Sequence, residues 1–188
     1  MLDIHTYKTI DLPKKYRLQI QEIQDQIIND KEDEYWENYE NFYLFEQAAV
    51  TVGLVDDDVK AFCSVFNNNF YGPDVYRILN RLYFTKDIRE SGSTKTYKGE
   101  HRTFPMIQQQ IEFVNSVNAK FYFISRQRKN TRWFKYFFNK YNNTYNNNLI
   151  VSDKQYWVCS NKNNSYGCCQ TIIYPEDKQR PFDSVHNV

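Results

Sequence analysis

The stretch that decides the fold is residues 75–94, which read VYRILNRLYF and then TKDIRESGST. The first ten residues are mostly aromatic or aliphatic, a composition typical of a β-strand. The second ten are polar and contain the string Arg-x-x-Gly, from Arg89 to Gly92. A strand that ends in such a turn and is followed by a helix can direct backbone N–H groups at an anion. The stretch predicts a phosphate-binding turn within residues 89–94, with a solvated polar turn as the alternative.

The segments before this stretch alternate between strand and helix patterns. Residues 4–10 are predicted to form a strand, and Asp11 and Pro13 are suitable residues to open a helix. That helix is indicated by apolar residues at helical spacing, namely Tyr16, Ile20, Ile23 and Ile27. A second, aromatic helix is predicted over residues 35–43, where it either covers the sheet or lines an acceptor pocket. Residues 49–55 and 59–66 form a predicted hairpin around Asp56, Asp57 and Asp58, which suit a turn better than a calcium loop.

The segments after the stretch predict a crossover. A helix opened by Pro105 and ending near Asn118 is followed by a strand over residues 119–125, which implies a parallel strand pair. A last helix is indicated by Trp133, Phe134, Phe137, Phe138 and Tyr141, and an Asn-rich loop is predicted over residues 142–148. Two further strands are predicted within residues 149–159 and 168–174.

The composition predicts one domain over residues 1–175 with a polar tail over 176–188. The 24 basic and 23 acidic residues leave a net charge of +1, so a nucleic-acid partner is not expected. The four cysteines lack zinc-site spacing and favour thiols in a reducing compartment. The sequence shows neither an apolar run of membrane-spanning length nor a secretory signal, which predicts a cytoplasmic protein with no membrane partner.

The order of these elements, together with the turn after the third strand of the meander, resembles the GNAT superfamily of N-acetyltransferases. The resemblance covers roughly residues 4–174. It implies an α+β fold with a mixed central sheet of about six or seven strands flanked by about four helices. It also implies acetyl-CoA as the cosubstrate, no metal, and an amine on a small molecule or a protein as the acceptor.

The resemblance implies where acetyl-CoA would bind. In this family the strand ending near Phe84 and the strand 121–125 splay apart, and the pantetheine arm lies in the gap. The main chain of Leu82, Tyr83 and Phe84 would hold the arm and polarise the thioester carbonyl. The phosphates would contact Arg89, Gly92, Ser93 and Thr94, and Lys98 or Arg102 could add charge. The enlarged segment 95–103 departs from the family pattern, in which the helix begins inside the loop.

The resemblance also implies a reaction in which an amine attacks the thioester directly. The family signature Asn-x-x-Ala-x-x-Phe-Tyr corresponds to residues from Asn130, which is a cofactor-binding candidate. Phe137 or Phe138 then replaces the tyrosine that commonly protonates the leaving thiolate, so Tyr136 and Tyr141 become the catalytic candidates. The general base is expected to be Glu46, Glu100, His101 or a water.

A different function class stays open at this point. The chain could be a non-catalytic protein of the same fold that binds a partner. Nucleic acid is one ligand class for it, through the basic segment 126–132 and the aromatic rings. In that case Trp133 or Phe134 would fill the gap between the strands.

Overall fold

The computed structural model describes residues 2–29, 47–67, 74–90, 101–125, 131–157 and 169–176. Within these ranges the strands are β1 Asp3–Lys8, β2 Ala49–Val55, β3 Asp58–Asn67, β4 Val75–Phe84, β5 Lys120–Ser125, β6 Leu149–Trp157 and β7 Cys169–Pro175. The helices are α1 Lys14–Asn29, α2 Lys86–Glu90, α3 Thr103–Ser116 and α4 Thr131–Tyr145, with a 3₁₀ turn at Thr9–Asp11.

The strands neighbour one another in the order β1-β2-β3-β4-β5-β7-β6. The pairs β1–β2 and β2–β3 are antiparallel, whereas β4 and β5 are parallel. The sheet is therefore mixed, and the predicted fold class is confirmed together with the parallel pair. Contacts divide the chain into two compact units, one from residues 1–66 and 79–113 and the other from residues 67–78 and 114–188.

In the first unit, α1 covers the hairpin formed by β2 and β3. The apolar stripe of α1 is buried at Ile20 and Ile27, which pack with Val50, Val52 and Phe62. The predicted first helix is thus confirmed. Its start differs from the prediction, because Asp11 belongs to the 3₁₀ turn and the helix begins at Lys14. The predicted aromatic helix over residues 35–43 lies outside the described residues.

The hairpin turn confirms the structural interpretation of the three aspartates. Asp56 and Asp57 have φ angles of 50° and 65°, and positive φ at both central residues is what a tight primed turn requires. Asp57 is bonded to α1, since Lys15 Nζ lies 2.7 Å from its Oδ2 and the Tyr16 hydroxyl donates to its Oδ1 at 2.6 Å. These two partners lower the pKa of Asp57. Asp57 therefore connects the turn of the hairpin to α1.

In the second unit, β5 is paired on both sides. Its first residues form the parallel ladder with the start of β4, from Val75↔Lys120 to Arg77↔Tyr122. Its last residues pair antiparallel with β7, which in turn pairs with β6. Helix α4 buries Phe137, Phe138 and Tyr141, and this confirms the prediction that Phe137 and Phe138 are packing residues, whereas Phe134 is only half-buried.

The predicted loop over residues 142–148 is wrong in its first part, because α4 continues through Tyr145. Asparagine is a poor helix former, but here Asn142 accepts from the N–H of Leu149 at 3.0 Å and donates to its C=O at 2.9 Å. The helix ends at Tyr145, and the next residue, Asn146, has a φ of 52°, which lies in the left-handed region used after helix C-termini. Tertiary hydrogen bonds to β6 thus outweigh the local preference.

Candidate functional site

The backbone of β4 is distorted in its middle. Leu79 and Arg81 have φ angles of 52° and 57°, a region that bulky residues rarely adopt and that costs about 1–3 kcal/mol per residue. Buried side chains also cease to alternate there, because Asn80 and Arg81 are both buried. The distortion follows Arg77, the last β4 residue of the parallel ladder. The regular strand conformation of β4 is therefore interrupted between the parallel ladder and residues 82–84.

Two buried polar side chains hold the distorted segment. Gln110 of α3 accepts the N–H of Leu79 on its Oε1 at 2.6 Å. Its Nε2 donates to Thr51 Oγ1 and to Cys63 Sγ, each at 3.0 Å. Asn80 donates from Nδ2 to Ser64 Oγ at 3.1 Å, and the Ser64 hydroxyl donates back to the Asn80 carbonyl at 3.2 Å. Each of these bonds is buried or partly buried, so the distortion is fixed from two neighbouring elements.

Burial in this network also determines the state of the Cys63 thiol. The side chain is fully buried and free, and burial raises the pKa of the thiol well above its ordinary value. A neutral thiol is a poor nucleophile. Cys63 is therefore a packing and hydrogen-bonding residue of the network.

Two guanidinium groups lie at the carboxyl end of β4. The Cζ of Arg89 is 5.4 Å from the ring centroid of Tyr83, and the Cζ of Arg102 is 4.5 Å from that of Phe84. Arg102 also donates from Nη1 to the carbonyl of Ile88 at 3.2 Å. Each of the two cations thus lies against an aromatic ring at the end of β4.

The charges of these two arginines repel each other. The pKa of Arg102 is lowered by burial and then by the positive charge of Arg89. Two like charges held together are stabilised by an anion that contacts both, and the guanidinium fork is well suited to phosphate. The end of β4 therefore carries two guanidinium groups whose positive charges act on each other.

Helix α2 carries Arg89 and is fixed to β3. The N–H of Thr85 donates to the Lys60 carbonyl at 2.9 Å, and Lys60 Nζ lies 3.1 Å from Asp87 Oδ2. The Thr85 hydroxyl and the Lys60 ammonium lower the pKa of Asp87. An acidic side chain in the first turn also suits the positive end of the helix dipole.

The structure places part of the predicted cofactor site. Leu82 and Tyr83 are partly buried and Phe84 is buried. Arg89 lies on the short helix α2 and not in a turn, and its positive charge contributes to lowering the pKa of Arg102, after burial. The other candidates, Gly92, Ser93, Thr94 and Asn130, lie outside the described residues, as do Lys98, Glu46 and Glu100.

The two catalytic candidates of α4 have different surroundings. The side chain of Tyr136 is 70% exposed. Tyr141 is fully buried, its ring stacks on Tyr145, and its hydroxyl accepts a hydrogen bond from Asn147 at 3.2 Å. Of the two hydroxyls, that of Tyr136 is therefore the accessible one.

The base candidate His101 has a structural role at the start of α3. Its Nδ1 accepts the N–H of Thr103 at 3.3 Å and its carbonyl accepts that of Phe104 at 2.8 Å. These are two of the N–H groups that a helix start leaves without an intrahelical partner.

The sequence reasoning missed Gln110. Its signal was a polar residue between Ile107 and Ile111, on a face of α3 that is otherwise apolar. Gln110 is fully buried there, and buried polar groups require partners. A second missed signal was Asn80 within an apolar strand.

Among the residues that the structure describes, no group of three potential metal ligands is found. None of the described helices has the length and apolar composition that crossing a membrane requires.

The fold is similar to those of several solved proteins. ElaA of Escherichia coli matches with a TM-score of 0.56 at 9% identity, over 94% of this chain and 100% of ElaA. An acyl-CoA N-acyltransferase from Pseudomonas aeruginosa matches with a TM-score of 0.54 at 8% identity, over 93% and 99% of the two chains. A Bacillus subtilis acetyltransferase in complex with CoA matches with a TM-score of 0.50 at 10% identity, over 93% and 98%.

The chain therefore has the GNAT-like fold that its sequence predicted. No family model and no curated protein matches the sequence. At identities of 8–10%, the similarity concerns the fold.

Proposed function

We propose that the protein is a coenzyme A-dependent N-acyltransferase that transfers an acetyl group from acetyl-CoA to an amine. The observation that carries the proposal is the pair Arg89 and Arg102, held on adjacent rings at the end of a distorted strand. The fold supports it, because structures with the same fold include an acyl-CoA N-acyltransferase and an acetyltransferase with bound CoA.

In this proposal Arg89 and Arg102 bind the phosphates of the cosubstrate. Gly92, Ser93, Thr94 and Asn130 stay as further predicted contacts to it. The main chain of Leu82, Tyr83 and Phe84 binds the pantetheine arm, and one of its N–H groups stabilises the oxyanion that forms on the thioester carbonyl.

In the proposed reaction the amine nitrogen attacks the thioester carbon and the C–S bond breaks. The nitrogen loses a proton to a base or to water, and the leaving thiolate gains one from an acid. Tyr136 is the proposed acid, because its side chain is the exposed one of the two tyrosine candidates. We place the reaction in the cytoplasm, with a small molecule or a protein as the amine acceptor.

The arginine pair is tested by titration with parts of the cosubstrate. We expect Arg89→Ala and Arg102→Ala each to weaken CoA binding about tenfold or more, because each removes a charged hydrogen-bond donor. Binding of pantetheine, which lacks the phosphates, should stay unchanged in both variants. Calorimetry with CoA and with pantetheine measures the two affinities.

Lys14→Ala is the matched control, because Lys14 is an exposed cation on α1. Its CoA affinity should equal that of the wild type. Equal CoA affinity in all variants would remove the arginine pair from the site.

A further inference from the structure

The distortion of β4 depends on an acceptor supplied from another element. A leucine at φ 52° is strained, and its neighbour two residues on has φ 57°. Such conformations persist when the surrounding structure determines them. The N–H of Leu79 bonds to Gln110 Oε1 at 2.6 Å, so this contact fixes the direction of the N–H where the regular strand conformation is interrupted.

The orientation of the Gln110 amide is itself determined. Its Oε1 accepts the N–H of Leu79, a group that can only donate, and its Nε2 donates to the Thr51 hydroxyl and to the Cys63 sulfur. Thr51 is held in turn by the hydroxyl of Thr6 at 2.8 Å. Rotation of the amide would remove the acceptor from Leu79 and leave buried donors without partners. Three strands and α3 therefore cooperate to present one oxygen to Leu79.

We infer that Gln110 is a positioning residue for binding of the pantetheine arm: through Leu79 it sets the direction of residues 82–84. The inference rests on the proposed function, in which the main chain of these three residues binds the arm. Gln110 does not touch the cosubstrate in this account. Gln110 therefore affects binding of the pantetheine arm, which contacts the main chain of β4. It does not affect binding of the phosphates, which contact Arg89 and Arg102.

The inference is tested by Gln110→Met, which keeps a side chain of similar length and removes the acceptor. We expect the affinity for pantetheine to fall about tenfold, while the affinity for 3′,5′-ADP changes less than about twofold. Calorimetry with the two fragments on the full chain measures both. Gln109→Met is the matched control, since Gln109 bonds to Glu112 in an exposed position on the same helix.

Amide exchange of Leu79 provides a readout that does not depend on any ligand. In Gln110→Met this amide should exchange faster relative to the core of β2, whereas Gln109→Met should leave it unchanged. If Gln110→Met does not fold, Thr51→Val serves instead. It removes one acceptor that orients Gln110, and a smaller change in the same direction is expected.

The substitution Leu79→Gly tests whether Gln110 acts by positioning the main chain of β4 or only by stabilising the fold. Glycine adopts a positive φ readily, so Leu79→Gly combined with Gln110→Met should recover part of the lost pantetheine affinity. Equal losses for pantetheine and 3′,5′-ADP, or no loss for either, would overturn the inference and leave the proposed function standing. Failure of the wild type to bind either fragment would overturn both.

Discussion

At the residue scale, two side chains have unusual surroundings, namely Arg102 and Tyr136. Arg102 is partly buried on Phe84 and close to a second cation, a costly arrangement without an anion to share. Tyr136 is a large ring left 70% exposed on a helix that buries Phe137, Phe138 and Tyr141.

At the residue scale we predict that Tyr136→Phe lowers kcat by about a hundredfold, the order expected for loss of a general acid. The KM for acetyl-CoA and the stability should change little, because the side chain is exposed. The assay follows release of the CoA thiol from acetyl-CoA in the presence of a panel of primary amines.

Tyr145→Phe is the control, because it makes the same change on the same helix. An unchanged kcat in Tyr136→Phe would exclude Tyr136 as the acid. The acid would then have to be sought elsewhere, outside the two tyrosines proposed for α4.

At the element scale, the helix α2 is held by a carboxylate whose charge matters. Asp87 has a lowered pKa in the folded protein, so its contribution to stability is present above the pKa of the unfolded chain, about 3.9. That contribution is lost as the pH falls through the lower folded pKa. Because the side chain is 57% exposed, we expect it to amount to less than about 1 kcal/mol.

We therefore predict that Asp87→Asn is slightly less stable than the wild type near neutral pH. The difference should shrink as the pH falls through the lowered folded pKa of Asp87, because the wild-type carboxyl is then protonated as well. Urea unfolding across the pH range measures it. Asp25→Asn, the same change at an exposed position of α1, controls for loss of a negative charge. A difference that grows on acidification would contradict the assignment.

Most elements could be predicted from the sequence because their signals are local. The hairpin is marked by three aspartates between two apolar runs, and α1 by isoleucines at helical spacing. The distortion of β4 could not be predicted, because neither leucine nor arginine favours positive φ. It depends on Gln110, which is 31 residues away from Leu79 in the chain. The end of α4 was missed for the same reason, since Asn142 is stabilised by β6.

The charged residues of the proposed site could be predicted from the sequence, whereas their surroundings in the fold could not. The string around Arg89 indicated an anion site, and Arg102 was a candidate for additional charge. Their proximity and the aromatic rings beneath them are consequences of the fold. The short helix α2 could not be predicted within the polar run after Phe84, because a helix of five residues gives no periodic pattern.

At the scale of the whole molecule, the fold is similar to those of solved proteins with which the chain shares 8–10% sequence identity. A fold constrains function only loosely. Our proposal is narrower than the fold because the distortion of β4 is followed along the chain by Arg89 of α2, and Arg102 lies over Phe84 at the end of β4. In the proposed function, the main chain of residues 82–84 would bind pantetheine and the two arginines would bind the phosphates.

The central claim is that this protein binds acetyl-CoA, and the most direct measurement is the unfolding of the wild-type protein with and without the cosubstrate. At 100 times its dissociation constant, acetyl-CoA should add about 2.7 kcal/mol to the free energy of unfolding. A saturable rise in the melting temperature that Arg89→Ala shifts to higher concentration is the predicted result. No rise at millimolar acetyl-CoA would contradict the account.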